Sequence, residues 1–291
     1  MIKEAFAALG NSARDLFRNW RGLLLLALVY AGLLVSLYFF FAVGVANVWQ
    51  LVVSALMAMA APVLWLLLEA GAVNAALPGA TAGTIARRAP RDLLKVLLLA
   101  LPLIALGVLF VYLLNKLPGW LPKIEEAPQH YLEATTAGGG RKPAPLHWQE
   151  AFVSSLWLLL LGFVLPLVAA HLWLSAAREG LKATLKSLHR VVGRAFAARS
   201  VLVYALGLFV FGLTPYFVIY TRPSVSNGWA ELFVFGLRLA LAFVITLVSW
   251  VIMLGALARV TPPLAEAPAA AEPAPAPPPQ ESVTAEPQLQ A

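Results

Sequence analysis

Six long apolar stretches constrain this chain more than any other feature of its sequence. A helix needs about 20 apolar residues to cross the hydrocarbon core of a bilayer. Stretches of that order occur at 23–48, 51–68, 93–114, 151–174, 201–220 and 232–254. None has the strict apolar–polar alternation of a strand, and lipid offers no partner to unpaired backbone groups. The sequence therefore predicts an all-α bundle of six transmembrane helices, in which Trp49 and Gln50 join the first two as a tight hairpin.

The composition excludes an ordinary soluble domain. Hydrophobic residues make up 61% of the 291 residues and charged residues 12%, against about 45–50% and about 25% in soluble proteins. The absence of cysteine excludes disulfides, thiolate catalysis and cysteine-ligated metals. The first apolar stretch begins at residue 23 and is longer than the apolar region of a signal peptide, so we expect it to be retained as an anchor.

Lysine and arginine are distributed unequally between the two sides of the predicted bundle. With the N-terminus inside, fifteen of the 21 lie on the inner side and five on the outer side, while Arg238 lies within the sixth stretch. Because cytoplasmic loops carry an excess of these residues, we expect a multi-pass protein of the bacterial cytoplasmic (inner) membrane with both termini cytoplasmic. The net charge of +7 then favours anionic lipid over nucleic acid as the partner.

Two segments differ from the predicted six-span membrane domain of residues 23–259. Residues 260–291 contain nine prolines and nine alanines, which predicts a disordered cytoplasmic tail. That tail is either simply solvated or an arm that binds a protein partner. The outer loop at 115–150 carries His130 and His147 among acidic residues, but their spacing gives no specific support to a metal site.

Basic amphipathic helices are predicted before the first and fifth apolar stretches, at 1–22 and 181–196. At 100° per residue, the apolar residues of each segment share one face and the cations lie opposite. Such helices lie along a membrane surface, so we expect their cations to contact anionic lipid headgroups; the alternative is that the helices pack on the protein or bind a membrane partner. The cations are Lys3, Arg14, Arg18, Arg21, Lys182, Lys186, Arg190 and Arg194.

The two amphipathic segments also align with each other. Residues 2–24 match residues 181–203 without gaps, with Lys3 opposite Lys182 and Phe17 opposite Phe196. A weaker basic segment at 81–92 precedes the third stretch, and we expect Pro90 to interrupt it. The pattern suggests helical-hairpin units repeated in parallel, although two unrelated basic amphipathic helices would also align in this way.

Polar side chains are few within the apolar stretches, and an ionisable group at the bilayer centre costs about 3 kcal/mol. Each is therefore a candidate site. Glu69 and His171 are predicted near the cytoplasmic ends of their helices, where a pair would serve a proton relay or tie two helices together. Arg238 would anchor a lipid headgroup or a substrate, or extend its side chain to the surface. The candidates are Glu69, Asn74, His171 and Arg238.

The sequence favours a non-enzymatic protein over a small transporter or permease component, and both over a membrane-embedded enzyme. It has no phosphate-binding loop, no H-E-x-x-H and no G-x-S-x-G. We therefore expect no catalytic residue, no metal and no cofactor. A transport pathway requires polar groups at mid-membrane depth, and few are present. The main ones are Ser36, Ser54, Thr246 and Ser249.

Two basic segments, each entering a leucine-rich stretch, carry a resemblance to known proteins. They read Ala13-Arg14-Asp15-Leu16-Phe17-Arg18-Asn19-Trp20 and Gly193-Arg194-Ala195-Phe196. The layout resembles uncharacterised bacterial six-span integral membrane families, including relatives of the membrane region fused to some glycerophosphodiester phosphodiesterases. The resemblance is one of pattern over most of residues 1–259. It implies a six-helix membrane fold and transfers no catalytic residue.

Overall fold

The computed structural model describes residues 1–44, 46–121, 148–221, 227–261 and 263. Two segments, Leu158–Val164 and Leu208–Gly212, are π-helical, and each joins two α-helices. The α-helices are α1 (Ile2–Arg18), α2 (Trp20–Ala42), α3 (Val48–Ala75), α4 (Ala82–Trp120), α5 (Trp148–Trp157), α6 (Leu165–Glu179), α7 (Leu181–Lys186), α8 (Leu188–Ala195), α9 (Ala198–Gly207), α10 (Leu213–Tyr220) and α11 (Gly228–Val260).

The predicted all-α polytopic bundle is confirmed, because six helical runs are long and apolar enough to cross a membrane. We number them as spans one to six. They are Trp20–Ala42, Val48–Ala75, Ala82–Trp120, Ala151–Glu179, Ala198–Tyr220 and Gly228–Val260. Most of the predicted disordered tail and most of the predicted outer loop, with His130 and His147, lie outside the described residues; Val260, the first residue of the predicted tail, is the last residue of α11.

The connection between the first two spans differs from the predicted one. Trp49 and Gln50 lie in the first turn of α3 instead of forming the joint. Asn47 is the residue that caps this helix, since its Oδ1 accepts a hydrogen bond from the Gln50 backbone N at 2.9 Å. Apolarity alone could not locate this boundary, because the capping residue decides where the helix begins.

Two further segments differ from their predictions. Pro90 lies inside α4 and does not interrupt it. It is exposed there, so solvent or headgroups can reach the carbonyl that it leaves without a helical partner. The predicted helix 181–196 is two short helices, α7 and α8, separated by Ser187. The Ser187 hydroxyl donates to the Ala183 carbonyl at 2.7 Å, a local bond that competes with helical geometry.

The core lies at the end of the bundle where α1 meets the end of α11. There α3, α6 and α11 contact one another and are buried on all sides over residues 68–74, 169–174 and 251–258. These runs are rich in alanine and glycine, which let helix backbones approach closely. Toward the opposite end, large apolar side chains such as Phe41, Leu158 and Trp229 are exposed, as expected of helices that lipid surrounds.

Three segments, which we call lead-ins, precede or begin the first, third and fifth spans: α1 with residues 19–21, residues 82–92 of α4, and α7 with α8 and Phe196. The first packs on α11, where the Ser12 hydroxyl donates to the Ile252 carbonyl at 2.8 Å. The second packs on α3 with Ile85 and Ala89 beside Gly71, and the third packs on α6. Each lead-in therefore contacts the last span of the preceding hairpin, and the first contacts the final span. This ring of contacts supports the interpretation of three parallel hairpin units.

The proline in the fourth span has a compensating contact. Pro166 has no N–H to donate to the carbonyl of Gly162, four residues earlier. The Tyr204 hydroxyl of the neighbouring span donates to that carbonyl at 3.3 Å. Residues 158–164 before the proline form one of the π-helical segments. A backbone acceptor freed within lipid is thus satisfied by a side chain from another helix.

Candidate functional site

The apolar side chains of the first lead-in lie on two different faces of α1. Ala5, Ala8, Leu9, Ser12 and Leu16 are buried against the bundle. Ile2, Phe6 and Phe17 are each more than half exposed. The predicted apolar face had grouped Leu9 and Leu16 with these three residues, so the structure divides it in two. One face packs on the protein, and the other is free to contact something else.

The cations of the first lead-in lie beside these exposed apolar side chains. Lys3, Arg14, Arg18 and Arg21 are all exposed. The guanidinium of Arg21 lies over the ring of Trp20, 5.6 Å from the centroid, and Trp20 is itself more than half exposed. Alternating cations and large apolar groups on one accessible surface are the composition of a membrane-interface contact.

The third lead-in has the same arrangement. Thr184, Val191 and Ala195 are buried and face the bundle. The accessible surface combines three large apolar residues with three exposed cations, namely Leu185, Leu188, Phe196, Lys182, Lys186 and Arg190. Arg194 differs from this group, since it is half-buried and lines a small cavity with His171 and Arg178.

The second lead-in is basic but lacks the apolar groups. Arg87, Arg88 and Arg91 are exposed, whereas Ile85, its large aliphatic side chain, is 1% exposed and packs on α3. Residues 82–92, all of which the structure describes, carry no large exposed hydrophobic side chain. The three arginines therefore lie in a segment that has no large exposed apolar side chain of its own, which makes the second lead-in a control for the other two.

Glu69 and Asn74 are buried on α3 and have separate partners. Trp250 Nε1 of α11 donates to Glu69 Oε2 at 2.8 Å. Asn74 Nδ2 donates to Asp92 Oδ2 of α4 at 2.9 Å and also to the Ala70 carbonyl at 2.9 Å. Both contacts join α3 to another span. They are the kind of interhelical hydrogen bond that stabilises membrane bundles.

His171 lies on α6 among hydroxyl groups. Its Nδ1 is 2.9 Å from the Leu167 carbonyl, and because a carbonyl only accepts, Nδ1 is the donor. Its Nε2 is 3.1 Å from the Ser200 hydroxyl and 3.3 Å from that of Thr261. His171 and Glu69 therefore have different hydrogen-bond partners. The geometry favours a helix tie at each residue over a relay between them.

Arg238 contacts the backbone of the neighbouring helix. Its Nε donates to the Val218 carbonyl at 2.7 Å and its Nη2 to the Ile219 carbonyl at 3.1 Å. These carbonyls belong to the last turn of α10, where the helix leaves its acceptors without helical donors. A cation also complements the negative end of the helix dipole. The contacts favour a structural role for Arg238 over that of a headgroup or substrate anchor.

Several polar contacts of the core were missed by sequence reasoning. Arg178 donates to the carbonyls of Ala258, at 2.5 Å, and Thr261, at 2.6 Å. Arg259 forms an ion pair with Asp15 of α1. In the sequence, both arginines counted only toward the excess of positive charge on the inner side. Their partners lie 80 or more residues away along the chain, and no local pattern indicates such a pairing.

Two larger cavities also lie in this end of the bundle. A polar cavity of about 220 Å³ is bounded by Asp15, Asn19 and Arg259, together with the turn between α3 and α4. An apolar cavity of about 330 Å³ is lined by Trp65, Glu69, Trp173 and Trp250, with aliphatic residues of α4 and α6. Trp173 is buried, and its Nε1 has no hydrogen-bond partner in the part of the chain that the structure describes.

The chain matches no protein-family model, no curated protein and no solved structure. The resemblance to the membrane region of glycerophosphodiester phosphodiesterases therefore stays a prediction from the sequence pattern. What the lead-ins and the buried polar residues do has to be argued from their own chemistry.

Proposed function

We propose that this chain is a non-enzymatic protein of the bacterial cytoplasmic membrane that engages anionic lipid through its first and third lead-ins, with both termini cytoplasmic. One observation carries the proposal. On both lead-ins, exposed cations are interleaved with exposed aromatic and leucine-class side chains, while a separate face of each lead-in packs on the bundle.

Two interactions of different range attract such a surface to an anionic membrane. Full burial of a large apolar side chain contributes about 1.5–3 kcal/mol, and a lysine or arginine near an anionic leaflet contributes about 1 kcal/mol. A helix that offers both binds anionic membranes more strongly than neutral ones. Because α1 and α8 are already packed on α11 and α6, little conformational entropy is lost when lipid binds.

The alternative is that the same surfaces bind a membrane protein partner. A protein interface would not distinguish phosphatidylglycerol from phosphatidylcholine, whereas headgroup contacts would. Counting the lipids retained by the protein separates the two interpretations directly.

The test uses the full-length chain released from nanodiscs that contain equal amounts of the two lipids, with retained lipids counted by native mass spectrometry. We expect phosphatidylglycerol to be enriched at least fivefold. The triple variant Lys182→Gln, Lys186→Gln and Arg190→Gln should lose most of that enrichment. Twelve of the fifteen predicted inner cations remain in this variant, so topology should be unchanged.

The second lead-in supplies the matched control. Replacing Arg87, Arg88 and Arg91 with Gln removes the same charge at the same end of the bundle, but from a segment, residues 82–92, that has no large exposed apolar side chain. We expect the enrichment to change by less than twofold. Equal losses in the two triple variants would mean that net charge alone attracts lipid. If the unmodified chain showed no enrichment of phosphatidylglycerol, the result would contradict the proposal and favour a protein partner.

A further inference from the structure

The apolar cavity is lined by aromatic rings and one carboxyl group as well as by aliphatic side chains. Three indole rings line it, from Trp65, Trp173 and Trp250, and the Glu69 carboxyl group lies among them. Trp65 and Trp173 meet edge to face with centroids 6.3 Å apart. Glu69 is 7% exposed, and glutamate is almost never buried in this way unless it has a partner.

The position of the cavity suits a ligand that enters from the membrane. Glu69 and Trp173 each lie six residues before the end of their helix, which at the helical rise places them about 9 Å inside it. Ile104, which also lines the cavity, is half exposed on the outer surface of α4. The cavity therefore lies below the headgroup level and is bordered by surface that lipid covers.

The chemistry of the lining favours a cation. The faces of aromatic rings attract cations, most strongly those of tryptophan and in desolvated sites, and aromatic cages of this kind hold quaternary ammonium groups. A carboxylate within the cage adds a full opposite charge in a medium of low dielectric constant. Trp250 Nε1 already donates to Glu69 Oε2, which fixes the carboxyl group in place beside the rings.

The indoles and the carboxyl group attract the same part of a ligand. Both favour a positive charge, and the aromatic and aliphatic lining favours an apolar remainder. We propose that this cavity binds the ammonium group of a small lipophilic ligand, with Glu69 and the three indoles as the recognition elements.

The experiment compares two probes that differ only in charge. Butyrylcholine carries the ammonium group and an ester, and 3,3-dimethylbutyl butyrate has carbon in place of the nitrogen. Binding to the full-length chain in nonionic detergent is measured by isothermal titration calorimetry. We expect butyrylcholine to bind at least tenfold more tightly than its neutral isostere.

Variants assign the two recognition elements separately. Glu69→Gln should remove most of the preference for the charged probe. Trp173→Phe replaces an indole with a ring that attracts cations less strongly, so it should weaken butyrylcholine more than the neutral isostere and leave the part of the preference that Glu69 supplies. Trp229→Phe, at a tryptophan that is 82% exposed at the other end of the bundle, should change neither. If Glu69→Gln does not fold, Trp65→Leu at the cavity edge should weaken the charged probe selectively.

Two results would overturn the proposal. Equal binding of the probes, or a preference for the neutral one, would identify the cavity as an apolar groove for lipid chains. A charge preference that survives in a folded Glu69→Gln variant would place the cation elsewhere. Lipid enrichment at the lead-ins is measured independently, so either proposal can fail while the other stands.

Discussion

Arg178 and Arg238 make the same kind of contact at opposite ends of the bundle, in different surroundings. Arg178 donates to two carbonyls at the end of α11, and Arg238 donates to two at the end of α10. Arg178 is half-buried beside residues 251–258, which are buried on all sides, whereas around Arg238 side chains such as Phe233 and Leu237 are exposed. One end of the molecule is a packed core, and the other is a set of helices that lipid covers.

The difference shows where the fold is stabilised. Lipid tails are as apolar as leucine, so helices in a membrane gain little from covering apolar surface and depend on close packing and interhelical hydrogen bonds. Both features concentrate at the end that holds the core. Half of the apolar window of the sixth span is buried, and this burial lies mostly at residues 251–258. Substitutions at this end should therefore cost more than equivalent ones at the opposite end.

The largest effect is expected at the contact between α1 and α11. A side chain at Gly255 would overlap the Ser12 hydroxyl, so Gly255→Leu should push α1 away and break the bond from Ser12 to the Ile252 carbonyl. Overpacking of this kind typically costs about 1–3 kcal/mol, and the lost hydrogen bond about 1 kcal/mol more. Unfolding in detergent with increasing dodecyl sulfate should report a destabilisation of about 3 kcal/mol.

The same span offers a control. Gly236 lies toward the other end of α11, and a Cβ added there would have no neighbouring atom within 4 Å, so Gly236→Leu should change the free energy of unfolding by less than about 0.5 kcal/mol. Equal destabilisation by the two substitutions would show that the stability is not concentrated at one end.

The second effect concerns Arg178. Arg178→Met keeps much of the side-chain volume but removes both hydrogen bonds to the end of α11. Because hydrogen bonds from charged groups contribute about 1.5–3 kcal/mol, we expect a loss of about 2 kcal/mol in the same assay. Arg87→Met, at an exposed arginine, should have little effect. If Arg178→Met lowered the free energy of unfolding as little as Arg87→Met does, water would have to replace Arg178 at the two carbonyls.

A smaller effect should appear as coupling between Asn74 and Asp92. Each single change to leucine leaves the other polar group buried with fewer partners, although Lys95 Nζ still contacts Asp92 Oδ1 at 2.6 Å. The double variant removes the pair together, and replacing both partners by apolar groups is less costly than the separate losses suggest. A double-mutant cycle should give a coupling energy of about 1 kcal/mol. Additive losses would mean that the two residues act independently.

The sequence predicted the spans well and their contacts poorly, for physical reasons. Membrane spans follow from the length and apolarity of local stretches, which is why six were found. At the core end the helices extend past those stretches, to Ala75 and from Ala82. Polar residues can lie in these extensions because they are buried against neighbouring helices. Glu69 and His171 were identified as buried polar groups, but their partners Trp250 and Ser200 depend on which helices touch, and hydropathy carries no such information.

The smallest effect tests the exposed end directly. Arg238→Met removes two hydrogen bonds of the same type as those of Arg178, but the carbonyls of Val218 and Ile219 belong to the last turn of α10, near the membrane surface, where water can replace the lost donors. We therefore expect a destabilisation of about 0.5–1 kcal/mol, within the usual range of a single net hydrogen bond. Arg238→Lys keeps the charge but not the two-pronged geometry, so it should recover only part of the loss. The informative quantity is the destabilisation by Arg238→Met divided by the destabilisation by Arg178→Met, both measured in the same assay. A ratio near one would mean that the donors are equally hard to replace at both ends, and the lipid-covered end would then have to be as well shielded from water as the core.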